Sequence, residues 1–301
     1  MKQNESSMTS LISSFGRAYH RDHDEPVIFN DYLAKELMSE AAYHEVQGYM
    51  TKGISFFAPE LAEQLKSDEE KLKWVVQTQL APTPLARAAY TEQVIANEEQ
   101  LGLSQYVLLG AGMDTFAFRK GKNLQIFEVD HPATQQFKKE RVEKAGWELP
   151  KNLHMVAVDF TKDDLAKRLV AAGFDPQKKT VFSLLGVSYY LTKEALQELL
   201  NDLKTLMTEG SSIVFDYADQ GLFGSEVKRV QNMLAMAKQG GEPMHSAYEV
   251  GELEKMLEAA GLLIYEHLNP AEIQAAFFKK RTDDLKAFEH MHYIHAVYRG
   301  I

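Results

Sequence analysis

The stretch Gln105-Tyr-Val-Leu-Leu-Gly-Ala-Gly-Met-Asp-Thr-Phe-Ala-Phe-Arg119 organises the rest of the chain. Its apolar run, Tyr106 to Leu109, has the length and composition of a buried parallel strand. Gly110 and Gly112 follow, then Asp114 and Thr115. Glycines at these places let the backbone turn tightly and let a ligand come close. The amides past the turn would point outward from the start of a helix. A second run, Leu124-Gln-Ile-Phe-Glu-Val-Asp130, reads as the next strand and ends in an acid 18 residues after Gly112. That layout places a strand-end carboxylate against the two ribose hydroxyls of a nucleotide cofactor.

A nicotinamide fingerprint would carry its third glycine at position 115, where Thr115 stands. The turn therefore suits a ribose-and-amino-acid ligand better than a pyrophosphate, which favours S-adenosylmethionine. The plain alternative is an ordinary strand-to-helix turn.

Further motifs follow in order: Phe127-Glu-Val-Asp-His-Pro132, Val156-Ala-Val-Asp-Phe160, Gly173-Phe-Asp-Pro176 and Gly186-Val-Ser-Tyr-Tyr-Leu191. With the opening stretch, they resemble the successive motifs of the leucine carboxyl methyltransferase family, which includes bacterial polyketide O-methyltransferases. The resemblance is firm over about residues 83 to 220 and loose at the ends. It implies a class I, Rossmann-like fold of seven strands with the last antiparallel, S-adenosyl-L-methionine as cofactor, and methyl transfer to a carboxylate or hydroxyl of a small molecule. It assigns cofactor contacts to Arg87, Gly110, Gly112, Asp114, Asp130, Asp159, Phe160 and Gly186. Arg87 would hold the cofactor's carboxylate, a task suited to a planar guanidinium. Asp159 would accept from the adenine amine, while Phe160 donates its backbone amide to the ring. An N-terminal lid involving Arg17, Tyr19 and His20 is also implied. One departure is Leu185, where the family often has an acid facing the cofactor's ammonium.

Composition narrows the classes. With 301 residues, the chain can build one large core or two domains. Its formal charge of −10 argues against a nucleic-acid partner. Having no cysteine, it has no disulfide, thiolate zinc site or cysteine nucleophile, and no metal is expected. No apolar run approaches membrane-spanning length. The polar start, Met1 to Ser10, lacks an apolar signal core, so the expected location is the cytoplasm.

Residues 1 to about 14 are Ser-rich and expected to be mobile. A helix is expected over Asn30 to Met38, capped by Asn30 or Asp31, and more helix over 60 to 80. Another runs from Thr83 to Ile95, with Thr83 as cap and Pro84 in its first turn. After the opening motif, helices (131–146, 163–172, 192–207) alternate with strands (153–158, 180–185, 212–217). This predicts a doubly wound α/β fold with a mostly parallel sheet. Beyond it, helices are expected over 225–238, 246–260 and 271–288, and strands over 261–268 and 292–298. No composition break marks a second compact domain. The expectation is one methyltransferase domain over 1–301, with a helical cap over 1–80 and a Rossmann-like core over 81–301 carrying inserted helices around 221–260.

The acceptor chemistry is left open. A carboxylate, with a pKa near ~4, is ionised at neutral pH and needs no base; a hydroxyl needs one. Candidate catalytic groups are Tyr19, His20, Tyr190 and His245, with His131 weaker. Tyr189, Tyr190, Tyr248, Met233 and Met236 are candidate pocket walls, although a Met stripe at helical spacing also suits plain core. A nicotinamide oxidoreductase and a non-catalytic binding protein are the competing functions.

Overall fold

The computed structural model describes residues 5–160 and 162–300. Six helical segments come first: α1 (Glu5–His23), α2 (Ala34–Met38), α3 (Glu40–Phe57), α4 (Pro59–Gln64), α5 (Asp68–Val75) and, after a π-helical turn at Val76–Leu80, α6 (Pro82–Gln100). Strand and helix then alternate: β1 (Gln105–Leu109), α7 (Phe116–Arg119), β2 (Gln125–Asp130), α8 (Pro132–Lys144), β3 (Leu153–Ala157), α9 (Leu165–Ala171), β4 (Thr180–Leu184), α10 (Lys193–Lys204) and β5 (Ser212–Ala218). The chain closes with α11 (Lys228–Gln239), α12 (Val250–Ala259), β6 (Leu262–Leu268), α13 (Pro270–Ile273) and β7 (Met291–Tyr298).

The seven strands form one sheet in the order β3-β2-β1-β4-β5-β7-β6. β1 to β5 run parallel, and β7 runs antiparallel between β5 and β6. The order reverses at β1, so a crevice opens beyond the carboxyl ends of β1 and β4. Alternate side chains of β1 feed two cores. Tyr106 and Leu108 join a cluster that includes Leu11 and Phe15 of α1, Met50 of α3 and Leu85 of α6. Val107 and Leu109 join the opposite cluster, where α10 contributes Leu196, Leu199, Leu200 and Leu203. The helical cap and the sheet thus share one apolar cluster. Among the described residues, no helix is long and apolar enough to cross a membrane.

Four local expectations change. The expected mobile start is helical from Glu5, because Leu11, Phe15 and Ala18 recur at helical spacing and are buried; residues 1–4 lie outside the described residues. Asp31 is not a cap. α2 begins at Ala34, and the Asp31 carboxylate is taken by Arg17, Thr115 and Arg119. Thr83 is not a cap either: α6 begins at Pro82, directly after the π-turn, which the Ala81 amide closes on the Val76 carbonyl. The helix expected over 271–288 is capped by Asn269 and ends in a π-turn at Gln274–Phe278. The chain then folds back, with the Ala287 amide donating to Gln274 Oε1 at 2.8 Å, and buries Leu285 and Phe288.

Candidate functional site

The turn after β1 is built on two left-handed residues, Gly110 (φ 77°) and Gly112 (φ 50°). A Cβ on Gly110 would lie 2.9 Å from Val187 Cγ2, and one on Gly112 would lie 3.0 Å from Ser10 Oγ. The loop after β4 and the start of α1 therefore close directly on this turn. Groups distant in sequence hold it. Asp130 Oδ2 accepts from the Gly112 amide at 2.6 Å, and Oδ1 accepts from the His131 amide at 2.7 Å. Arg17 Nη2 donates to the Met113 carbonyl at 2.8 Å, and Lys138 Nζ to the Asp114 carbonyl at 2.6 Å. Asp114 Oδ1 accepts from the Phe116 amide, starting α7. Thr115, at the place of an absent third glycine, donates to Asp31 Oδ1 at 2.6 Å.

Burial raises the pKa of Asp130, and the Gly112 and His131 amides pull it back. Beneath the turn, Lys138 and Glu128 form a buried pair at 2.6 Å. Burial still lifts the Glu128 carboxyl above its ordinary range, against the pull of Lys138.

The opposite wall is made by β4, β5 and α6. Asp216 is fully buried on β5; its Oδ1 accepts from the Gly186 amide at 2.6 Å and its Oδ2 from Arg87 Nη1 at 3.0 Å. Arg87 Nη1 also donates to the Tyr189 hydroxyl at 3.1 Å. Gly186 has φ 74°, and a Cβ there would sit 2.6 Å from the Arg87 guanidinium. Only glycine lets Arg87 lie flat against this turn. The third wall follows β3. The Val158 amide donates to the Asp130 carbonyl, setting Asp159 and Phe160 beside Asp130. Asp159 accepts from Lys162 at 2.7 Å, and Phe160 is 47% exposed.

The predicted cofactor residues therefore lie along the carboxyl ends of β1 to β4, with Arg87 of α6 set against Gly186. The catalytic candidates do not gather. His20 is fully buried inside the cap; its Nδ1 meets Asp24 at 2.7 Å and its Nε2 accepts from the Ile28 amide at 2.8 Å. With both nitrogens engaged, the ring holds the cap together. Tyr19 packs in the same interior, 4.4 Å from the His23 ring, and burial pushes its pKa to about 12. His131 serves as the cap of α8. Tyr190 packs edge-on to Tyr189, whose carbonyl accepts from the His245 amide at 2.7 Å, so what meets this segment is the His245 backbone. Burial pushes the Tyr190 phenol to about 12, whereas His245 is exposed.

Sequence reading missed Asp31, Asp216, and the Glu128–Lys138 pair. Asp216 and Glu128 had a signal: each is an acid inside an otherwise apolar strand, where an unpaired charge is not tolerated. Among the described residues, no group of three or more His, Cys, Asp or Glu is arranged to hold a metal ion.

Comparison with known proteins bears on the family and the fold. The family model for leucine carboxyl methyltransferase matches residues 10–204. A Bacillus subtilis (strain 168) protein carrying the name S-adenosyl-L-methionine-dependent methyltransferase YktD is 53% identical over 303 residues, spanning 99% of each chain. A Mycolicibacterium paratuberculosis protein with the same kind of name is 34% identical over 148 residues, covering 48% of this chain and 47% of its own. Among solved structures, a DUF574 family protein from Streptomyces avermitilis superposes with a TM-score of 0.56 at 12% identity, covering 95% of this chain and 97% of its own. A Thermobifida fusca YX chain carrying the name of a methyltransferase gives 0.51 at 13% identity, covering 78% and 90%. These two likenesses concern the fold.

Proposed function

Since the chain belongs to the leucine carboxyl methyltransferase family and is an S-adenosylmethionine-dependent methyltransferase, we propose that it is an O-methyltransferase acting on a carboxylate or hydroxyl of a small molecule. The observation that carries the cofactor part is Asp130, which ends β2 at the switch point and clasps the Gly112 amide at 2.6 Å. Beyond the Gly112 and His131 amides and the Thr134 side chain, the carboxylate keeps lone-pair capacity, which would accept from the ribose. Asp159 and Phe160 would frame the adenine.

Arg87 would take the cofactor's carboxylate as a cation already steadied by Asp216. Both of its protein hydrogen bonds come from Nη1, so Nη2 and Nε remain to fork onto a carboxylate. Asp114 acts within the chain, fixing the turn that presents the Gly112 amide. When bound, the cofactor supplies an activated methyl group; the protein supplies position, a dry site and electrostatics.

α1 roofs the crevice, with Ser10 on Gly112 and Thr9 Oγ1 donating to Glu242 at 3.0 Å. For a hydroxyl acceptor, the exposed His245, whose amide meets the Tyr189 carbonyl, would take the proton. Tyr190, protonated at neutral pH, would donate a hydrogen bond instead.

The test uses S-adenosylmethionine carrying a deuterated methyl group, incubated with the enzyme and a bacterial metabolite extract. The expected result is labelled small molecules in the mass spectrum. Mild alkali distinguishes the two acceptors, since methyl esters are cleaved and methyl ethers survive. Label appearing only on protein or nucleic acid would contradict the proposal.

A further inference from the structure

Two glutamines stand two residues apart in the π-turn between α5 and α6, and they have opposite fates. Gln77 Nε2 donates to Asp24 at 2.6 Å and to Asp283 at 2.9 Å, tying the cap together. Gln79 is 8% exposed, and neither its Nε2 nor its Oε1 has a hydrogen-bond partner. A buried amide with both ends unpaired costs stability, and folded chains rarely keep one without a use for it. Its setting points to a use. π-turns are rare and concentrate at functional sites, and this one runs directly into α6, the helix that carries Arg87.

Gln79 stands in the π-turn eight residues before Arg87, which lies in the second turn of α6. Arg87 lies against Gly186 at the carboxyl end of β4, so the segment before it rises from the sheet edge into the roof. There α1 and α11 both pack on the π-turn. A Cβ on Gly16 of α1 would lie 3.5 Å from Ala81 Cα, while the same helix covers Gly112 with Ser10. The cofactor would occupy the sheet edge, so the acceptor has to enter from this roof.

We propose that Gln79 binds the methyl acceptor through both ends of its amide, and that the acceptor carries a neutral hydrogen-bond donor and acceptor side by side, as an enol or phenol beside a carbonyl does. The inference rests on the small-molecule O-methyltransferase reading. An ionised carboxylate would only accept and would leave Gln79 Oε1 unpaired. Between the two acceptor classes, Gln79 therefore selects the hydroxyl.

Two measurements on Gln79→Leu test this. The first needs no acceptor: removing an unpaired buried amide should raise the melting temperature of the free protein by about 2–5 °C. A lowered melting temperature would mean that structural water already satisfies the amide, and would overturn the proposal. The second is the deuterium-transfer assay. Gln79→Leu should lose at least about tenfold in labelling rate, the worth of one hydrogen bond of roughly 1.4 kcal/mol, with unchanged calorimetric affinity for S-adenosylhomocysteine. The products made by the parent should be alkali-stable ethers. Parent-like labelling by Gln79→Leu overturns the inference and leaves the small-molecule reading standing. A parent enzyme that labels no small molecule overturns both.

Discussion

The floor of the crevice and its roof are held by different means. The floor is glycine turns clasped by carboxylates. Asp130 holds the Gly112 amide, and Asp216 holds the Gly186 amide, each at 2.6 Å. These contacts involve backbone and short, strand-anchored side chains, which lose little freedom on folding. The roof is held by long side chains reaching across the cap: Arg17 to Asp31, His20 to Asp24, Gln77 to Asp24 and Asp283. Asp31 joins the two systems, because its carboxylate meets Arg17 of the roof and Thr115 and Arg119 beyond the floor turn. A floor built this way is ready before any ligand arrives. A roof built this way depends on a few buried ion pairs and can be loosened through them.

The largest expected effect comes from breaking that junction. Asp31→Ala leaves the guanidiniums of Arg17 and Arg119, whose side chains are 10% and 3% exposed, without their shared partner. Arg119 keeps Glu92 at 2.6 Å, but Arg17 is left with two serine hydroxyls and one carbonyl; orphaning that buried charge costs about 3–5 kcal/mol, which chemical denaturation would register. Cofactor affinity should fall as well, since Arg17 and Thr115 both hold the Gly112 loop. A loss below about 1 kcal/mol would show that roof and floor are not coupled through Asp31.

A smaller effect is confined to the floor. Gly186→Ala combines a φ of 74° with a Cβ placed 2.6 Å from the Arg87 guanidinium. The left-handed conformation alone costs an alanine about 1–2 kcal/mol, and Arg87 must move from Asp216. Calorimetry should show weakened binding of S-adenosylhomocysteine, while hydrogen exchange in α1 stays as in the parent. Faster exchange in α1 would mean that the two regions are not separable.

pH should affect stability in two stages. Burial, reinforced by neighbouring His292, holds His267 below its usual 6.5, and burial does the same to His295 against the opposing pull of Glu98. Both rings are therefore neutral in the folded protein. Their contribution is complete above about pH 6.5 and is lost as the pH falls toward their folded-state values. Burial opposes ionisation of Asp31 and Asp219, but Arg17 and Arg119 in one case, and His292 and His290 in the other, hold these carboxyls below their ordinary value. Their contribution is present above about pH 4 and is lost in stronger acid. Melting temperature should decline in both windows, the lifted carboxyls of Glu128 and Asp130 offsetting part of the fall; no change between about pH 7 and pH 5 would contradict the first.

The contrast between floor and roof also explains what was legible in the sequence. The mostly parallel sheet and the turn after β1 follow from local signals: strand–helix alternation, an apolar run, paired glycines, and an acid at a fixed distance. Gly110, Gly112, Asp130 and Gly186 could be found because the chemistry of a turn is written in adjacent residues. Asp31 could not, since its partners Arg17 and Thr115 are 14 and 84 residues away and an acid before a helix suits a cap equally well. Gln79 carried no signal either, because an unpaired amide is visible only when its surroundings are known. His20 shows the reverse: its residue type suits catalysis, and only the bonds to Asp24 and Ile28 reveal a ring at work inside the cap.

The floor's central claim is that Asp130 is both the clasp of the Gly112 turn and the ligand of the cofactor's ribose. The measurement is calorimetric affinity for S-adenosylhomocysteine in Asp130→Ala, alongside its melting temperature. Hydrogen bonds to a charged group are worth roughly 1.5–3 kcal/mol each, so affinity should fall by about tenfold to several hundredfold. Asp130→Asn, which keeps one accepting oxygen, should fall between the two. A variant that melts like the parent and binds S-adenosylhomocysteine as tightly as the parent would contradict the account.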